Sequence, residues 1–243
     1  MSKPLAIDLF CGLGGWTEGL LAEGYEVVGF DIEQHVYGEH HYPAQLVLQD
    51  VRTLHGRQFK DAALIVASPP CQAYSWRAMP WKAAKAAPPP DNTLFESCFR
   101  IQREACEAAG RHIPLVVENV KGAQKWVGRA RWNFGSYYLW GDVPALMPII
   151  RATKNSGGSW FNVAHNTVSG HGRNPDGRLL RSSSDEHVKL GGSWFHGYRA
   201  GQGPRNHGSK SIKRKMAQAM IAKIPLPLSR HIAAVYRPQE IAA

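Results

Sequence analysis

Cys71 is the residue of this 243-residue chain with the strongest claim to chemistry. It closes the run Ser68-Pro69-Pro70-Cys71, in which two prolines stiffen the backbone just before the thiol. Ala62 to Pro70 is apolar and of strand length, so the thiol is expected on a defined loop at the carboxyl edge of a sheet, where open α/β folds bind ligands. A buried, inert thiol is the ordinary fate of cysteine and is the expectation for Cys98 and Cys106. For Cys71 the polar neighbour Gln72 and the crevice-side position argue for exposure and reactivity. A second strand-like run, Pro114 to Asn119, ends in Glu118-Asn119-Val120 and brings an acid and an amide to the same edge. Such an acid can serve a pocket, or equally cap a helix or form a surface ion pair.

The N-terminal run Asp8 to Gly15, DLFCGLGG, is a strand that ends in glycines and opens a helix. That form suits a nucleotide-like ligand, with a tight structural turn as the alternative. Asp31 ends the following strand about 20 residues later, where an acid in such folds grips ribose hydroxyls. Asp50 ends the third strand and is placed to reach an adenine amino group in the same crevice.

Positioning these groups takes a particular set of elements. Leu5–Phe10, Glu26–Asp31, Gln45–Asp50, Ala62–Pro70 and Pro114–Asn119 read as strands rich in Val, Ile and Leu. Trp16–Gly24 and Asn92–Ala109 read as helices between them. This alternation predicts a doubly wound α/β domain with a mostly parallel sheet covered on both faces. After Asp142 the chain turns rich in Gly, Ser, Asn, His and Arg. Helical periodicity returns at Ser211–Tyr236, with a break at Pro225 and Pro227. Ala83–Asn92 is a low-complexity stretch expected as a mobile loop beside Cys71.

The hydrophobic content of 44% is enough for one full core. No apolar run reaches the length of a membrane helix and no leader precedes the first strand, so a cytoplasmic protein is expected. The four cysteines show no CxxC pairing and sit in a chain too long to need a disulfide framework, so reduced thiols are expected, with no zinc site and no other metal. A formal net charge of +10 points to a polyanionic partner, nucleic acid first.

In their order and spacing, DLFCGLGG, FDIE, QDV, SPPCQ, NTLFESCFR and ENV resemble the motif series of the DNA (cytosine-5) methyltransferases. The resemblance covers Leu5–Val120 and resumes at Ser211–Tyr236, with SPPCQ and ENV its most specific parts. It implies a Rossmann-like, S-adenosylmethionine-dependent catalytic domain at 1–145, a small irregular or β target recognition domain at 146–210, and C-terminal helices at 211–243 that rejoin the catalytic domain. The implied reaction moves a methyl group to carbon 5 of a flipped-out cytosine in double-stranded DNA and leaves S-adenosylhomocysteine. By the same resemblance Cys71 is the covalent nucleophile, Glu118 holds and protonates cytosine N3, and Asn119 supports the Cys71 loop. Phe10, Gly12, Leu13, Gly14, Asp31, Ile32, Asp50, Val51 and Pro69 would form the cofactor site, with Ile32 on the adenine and Pro69 beside the methyl donor.

The family's arginine motif finds its counterpart in Arg129 and Arg131, which the resemblance implies as cytosine and phosphate contacts, with Arg131 among the catalytic residues; plain contacts to the DNA backbone are an equal alternative. Ile221 and Ala222 stand where the family has Gly and Asn, so the backbone near Ile224 is the expected cofactor contact there. Gln72, Ser75, Arg129, Arg173 and Arg178 are the expected DNA-binding residues. A monomeric bacterial or phage enzyme that needs no restriction partner is expected. Two alternatives stay open: an RNA cytosine methyltransferase, although the Cys-Phe-Thr tripeptide of such relatives is missing, and a DNA-binding relative without catalysis.

Overall fold

The computed structural model describes residues 2–75, 88–147 and 211–238. In chain order, β1 (Leu5–Leu9) leads to α1 (Gly15–Ala22), β2 (Glu26–Asp31), a small hairpin of β3 (Val36–Tyr37) and β4 (His40–His41), β5 (Gln45–Leu48) and β6 (Leu64–Ala67). Then come α2 (Thr93–Ala109), β7 (Leu115–Asn119), the short α3 (Gln124–Val127), β8 (Trp132–Phe134) and β9 (Tyr137–Gly141), and finally α4 (Ile212–Ala222) and α5 (Leu226–Tyr236).

Among the described residues the main sheet has the order β5-β2-β1-β6-β7-β9-β8. The five strands from β5 to β7 are parallel. β9 runs antiparallel to both β7 and β8. This is the doubly wound, mostly parallel sheet expected from the sequence. From β1 the chain winds outward to β2 and β5, then crosses back to β6 on the other side of β1. The switch point between β1 and β6 opens a crevice at their carboxyl ends. The Phe10–Gly15 turn leaves from one side of that crevice and Ser68–Cys71 from the other.

Strand alternation builds two cores. β6 sends Ile65 and Ala67 to one face and Leu64 and Val66 to the other, all fully buried. Phe95, Cys98, Ile101 and Ala105 of α2 cover the first face. Trp16 and Leu20 of α1, with Leu228 and Ile232 of α5, cover the second. The close approach of α1 and α5 requires glycine: a Cβ on Gly19 would lie 2.2 Å from Ser229 Oγ and 2.5 Å from the Arg230 nitrogen. Tyr25 Oη donates to the Ala233 carbonyl (3.0 Å) and Tyr137 Oη to the Lys223 carbonyl (2.9 Å), so the segment of α4 and α5 is pinned to the main sheet. Pro225 caps α5 and Pro227 sits in its first turn, where a missing N–H breaks no intrahelical bond.

The sequence reading assigns no element to Trp132–Gly141, where the structure has a hairpin. Gly135, at φ 59°, and Ser136 turn the chain between two aromatic runs, but β8 has three residues and is too short to show a period of two. The Arg173 and Arg178 expectations and nearly all of the 146–210 recognition segment lie outside the described residues, as does most of the low-complexity stretch after Cys71. No helix among the described residues is long and apolar enough to cross a membrane.

Candidate active site

The glycine-rich turn is strained at its first residue. Phe10, half-buried, has φ 58°, a conformation that a bulky side chain adopts only when its surroundings impose it. Its neighbours are tied down. The Cys11 N–H donates to the Phe30 carbonyl (3.1 Å), and Trp16 Nε1 donates across the crevice to Ser68 Oγ (2.9 Å). The Gly12 N–H donates to Asp31 Oδ2 (2.9 Å), and Asp31 Oδ1 accepts from the Glu33 N–H (3.2 Å). Asp31 thus grips the turn and keeps lone pairs for a further donor. At Gly12, with φ 52°, no atom lies within 4 Å of the place a Cβ would take, so the space above the turn is open.

Ile32, next to Asp31, is 72% exposed, an apolar side chain left in water. Leu13 and Val51 are buried, at 6% and 2% exposure, so only their backbone can face a ligand. Asp50 turns back on its own chain. It accepts from the Arg52 N–H (2.9 Å) and pairs with the Arg52 guanidinium at 2.6 Å, and these bonds hold its carboxyl below the ordinary range. An adenine amino group would have to share this carboxylate with Arg52. From the C-terminal helices, the Ile224 backbone nitrogen packs against Gly15, where an added Cβ would approach it to 2.3 Å.

On the other side of the crevice the buried Pro69 and exposed Pro70 carry the chain from β6 to Cys71, which is partly exposed and begins the short 3-10 turn Gln72–Tyr74. Asn119, 1% exposed at the end of β7, donates from Nδ2 to the Pro69 carbonyl (3.0 Å), and its Oδ1 accepts from the Val120 N–H (2.8 Å). Glu118 precedes it, half-buried, with its strand paired to β6 on one side and β9 on the other.

Three residues that the sequence reading did not single out complete the clamp. Tyr74, 5% exposed, donates to Asn92 Oδ1 (2.9 Å), and Asn92 Nδ2 donates in turn to the Trp126 carbonyl (3.4 Å). A Cβ at Gly122 would lie 2.2 Å from the Tyr74 carbonyl, so the segment after β7 lies directly against the Cys71 loop. Tyr74 and Gly122 are far apart in sequence and carry no pattern; Asn92 does begin the NTLF run.

The four thiols separate by burial. Cys98 and Cys11 are buried, and loss of solvation raises both pKa values. Cys106 is half-buried and exchanges contacts with the backbone of Ile113, at the amino end of β7 and so on the edge opposite the crevice. Cys71 is the partly exposed thiol on the crevice side.

Gln72, Arg129 and Arg131 are exposed and Ser75 is half-exposed. The Arg131 N–H donates to the Leu139 carbonyl (2.9 Å), and Leu139 pairs with Glu118 in β7, which puts Arg131 two strands from Glu118. That is roughly 10 Å between backbones. An open depression of about 680 Å³ lies elsewhere, between α2 and Trp126, lined in part by Glu96, Arg103 and Trp140; it includes neither the glycine turn nor Cys71.

No curated protein matches this chain. Among solved structures it is similar to a candidate DNA modification methyltransferase encoded within an E. coli prophage, at 25% identity over 51% of this chain, with a TM-score of 0.37. The matched part spans 34% of that protein. It is also similar to the Entamoeba histolytica methyltransferase EhMeth, at 11% identity over 97% of this chain and 98% of that one, with a TM-score of 0.51. The Dnmt2 methyltransferase of S. pombe follows at 12% identity, 96% and 98% coverage and a TM-score of 0.47. At these identities the EhMeth likeness speaks to the fold. The family model described as C-5 cytosine-specific DNA methylase matches residues 5–128, which run from β1 through the glycine turn and the Cys71 loop to the segment after Asn119. That match covers just over half of the chain, which therefore belongs to the C-5 cytosine-specific DNA methylase family.

Proposed function

We propose that this protein transfers a methyl group from S-adenosylmethionine to carbon 5 of cytosine in double-stranded DNA, with Cys71 as the nucleophile. The observation that carries the reading is the convergence at one switch point. The partly exposed Cys71, Asn119 bonded to its loop with Glu118 beside it in β7, and the open turn gripped by Asp31 lie at the carboxyl ends of the strands that flank the switch point.

The residues present fit the cofactor. Open space over Gly12, a carboxylate with free lone pairs at Asp31 and an exposed apolar surface at Ile32 suit an amino-acid tail, a ribose and an adenine in that order. Phe10, Gly14 and Pro69 complete the wall, with backbone from Leu13, Val51 and Ile224. When bound, S-adenosylmethionine supplies an electrophilic methyl on a sulfonium sulfur and departs as S-adenosylhomocysteine.

The chain's own work is to make carbon 5 nucleophilic. The Cys71 thiolate adds to carbon 6, and Glu118 gives its proton to N3 as electron density moves to carbon 5. After carbon 5 has taken the methyl, its proton leaves to solvent, the Cys71 thiolate is expelled, the carbon 5–carbon 6 double bond re-forms and N3 returns its proton to Glu118. Asn119 holds the Pro69 carbonyl, and so the thiol, on the line of attack. The target carbons are inside the duplex, so the cytosine is flipped out at a cost of a few kcal/mol. Gln72, Ser75, Arg129, Arg131 and the basic 146–210 segment, with Arg173 and Arg178, bind the DNA. The protein acts as a monomer in the cytoplasm of a bacterial or phage-infected cell, and no restriction partner is required.

Methyl transfer from tritiated S-adenosylmethionine to duplex DNA and to tRNA tests this reading. Label in the duplex as 5-methylcytosine is expected. Label in tRNA alone would replace DNA by RNA as the substrate, and label in neither would refute catalysis.

A further inference from the structure

Beneath the glycine turn runs a polar chain that the transfer step does not use. Asp8 lies in β1 and is fully buried. Its Oδ2 is 2.6 Å from Thr17 Oγ1, and Thr17 Oγ1 is 2.7 Å from Tyr42 Oη. Thr17 has no exposure and Tyr42 only 7%. Asp8 Oδ1 is buried with no hydrogen-bond partner.

The threonine hydroxyl has one proton, so the chain can run in only two directions. With Asp8 ionised, Tyr42 donates to Thr17 and Thr17 to Oδ2, and a charged Oδ1 faces a dry interior unpaired. With Asp8 protonated on Oδ2, the carboxyl donates to Thr17 and Thr17 to Tyr42, and Oδ1 is left as a neutral carbonyl. The second arrangement spares the interior an unpaired charge, at the smaller cost of leaving the Tyr42 hydroxyl proton without the Thr17 acceptor. Among the described residues the titratable groups around Asp8 are Asp31 from β2, the Cys11 thiol of the turn and Tyr42 from the segment after β4, none of these three a cation. Burial pushes the Asp8 carboxyl up to about 7.

The far end of the chain is a wedge. The Tyr42 ring occupies the space over Gly29 of β2, where a Cβ would come within 2.3 Å of its Cζ and Oη. Tyr42 and Pro43 also abut Gly14, the latter at 2.6 Å from the Cβ position. One side chain therefore touches both the turn and the strand that ends in Asp31.

We propose that Asp8, Thr17 and Tyr42 are positioning residues for the methyl-donor site. The neutral chain seats the Tyr42 wedge and so fixes the Gly12–Gly14 turn relative to Asp31, and ionisation of Asp8 reverses the chain and loosens the site. The inference rests on the turn and Asp31 being that site.

Calorimetry of S-adenosylhomocysteine binding to the full-length protein at pH 6 and pH 8.5 tests it, with Asp31→Ala as the control for the site itself. The unaltered protein should bind about fivefold more weakly at pH 8.5, the size of one net hydrogen bond. Asp8→Asn keeps a neutral donor to Thr17; it should bind normally at pH 6 and show no pH dependence. Tyr42→Phe should weaken binding about fivefold at pH 6 while its melting curve shows a folded protein. Asp8→Asn retaining the full pH dependence would overturn the proposal. So would unchanged binding by Tyr42→Phe alongside weakened binding by Asp31→Ala, a result that leaves the site reading intact. Unchanged binding by Asp31→Ala would instead remove the site, and the positioning chain with it.

Discussion

Replacing Asn119 by alanine should uncouple the Cys71 loop from the sheet, and the structure sets the size of the effect. Asn119 is 1% exposed and spends Nδ2 on the carbonyl of the buried Pro69 and Oδ1 on the Val120 N–H. Truncation leaves the Pro69 carbonyl buried without its donor, at about 1–3 kcal/mol. Val120 is half-buried, so water can recover part of the second bond. A loss of about 2 kcal/mol in unfolding free energy is expected, a sizeable part of the 5–15 kcal/mol of an ordinary domain. Activity should fall further than stability, because a displacement of about 1 Å at a reacting atom is worth about 100-fold in rate. Asn119→Asp should be worse than alanine, since it sets a carboxylate oxygen against the Pro69 carbonyl. Urea denaturation, S-adenosylhomocysteine calorimetry and single-turnover methyl transfer read the three quantities. The donor site across the crevice should keep its affinity. Unfolding free energy within 0.5 kcal/mol of the unaltered protein, roughly the scatter of surface substitutions, would refute the reasoning.

Asp8 gives a pH prediction whose sign is fixed. Its folded pKa of about 7 lies above the ordinary 3.8, so the native state keeps a proton that the unfolded chain releases, and this group's contribution to stability is full below about 4 and lost as pH rises to about 7. Asp8→Asn should remove that slope, gaining up to about 4 kcal/mol relative to the unaltered protein between pH 4 and pH 8 in denaturant titrations; parallel curves would contradict it. Gly19→Ala must push α5 off α1, because the new methyl meets the Ser229 and Arg230 backbone, and should cost about 1–3 kcal/mol or more in the same titration. Unchanged stability there would mean that the helices are not in the close contact described.

The sheet was readable because its central strands are rich in Val, Ile and Leu and are separated by helix-length segments, and the candidate residues stood out because Asp31 and Glu118 lie at strand ends and Cys71 follows one. What lay beyond reading depends on contacts between residues distant in sequence. Nothing in the segments around Thr17 and Tyr42 announces that both face Asp8, or that Tyr74 rests on Gly122. The pairing of Asp50 with Arg52 is local, but a strand-end acid looks the same in sequence whether it points into a crevice or back along its own turn. β3 and β4 have two residues each, too few for any pattern, yet they deliver Tyr42 to its wedge position.

The covalent role of Cys71 is tested most directly by a duplex that carries 5-fluorocytosine at the target. Fluorine at carbon 5 cannot leave as a proton, so elimination stalls after methyl transfer and the protein should remain attached to the DNA on a denaturing gel when S-adenosylmethionine is present. Cys71→Ala should abolish the adduct, Cys98→Ala and Cys106→Ala should leave it intact, and Glu118→Gln should slow its formation strongly because an amide cannot protonate N3. An adduct that survives Cys71→Ala would contradict the account.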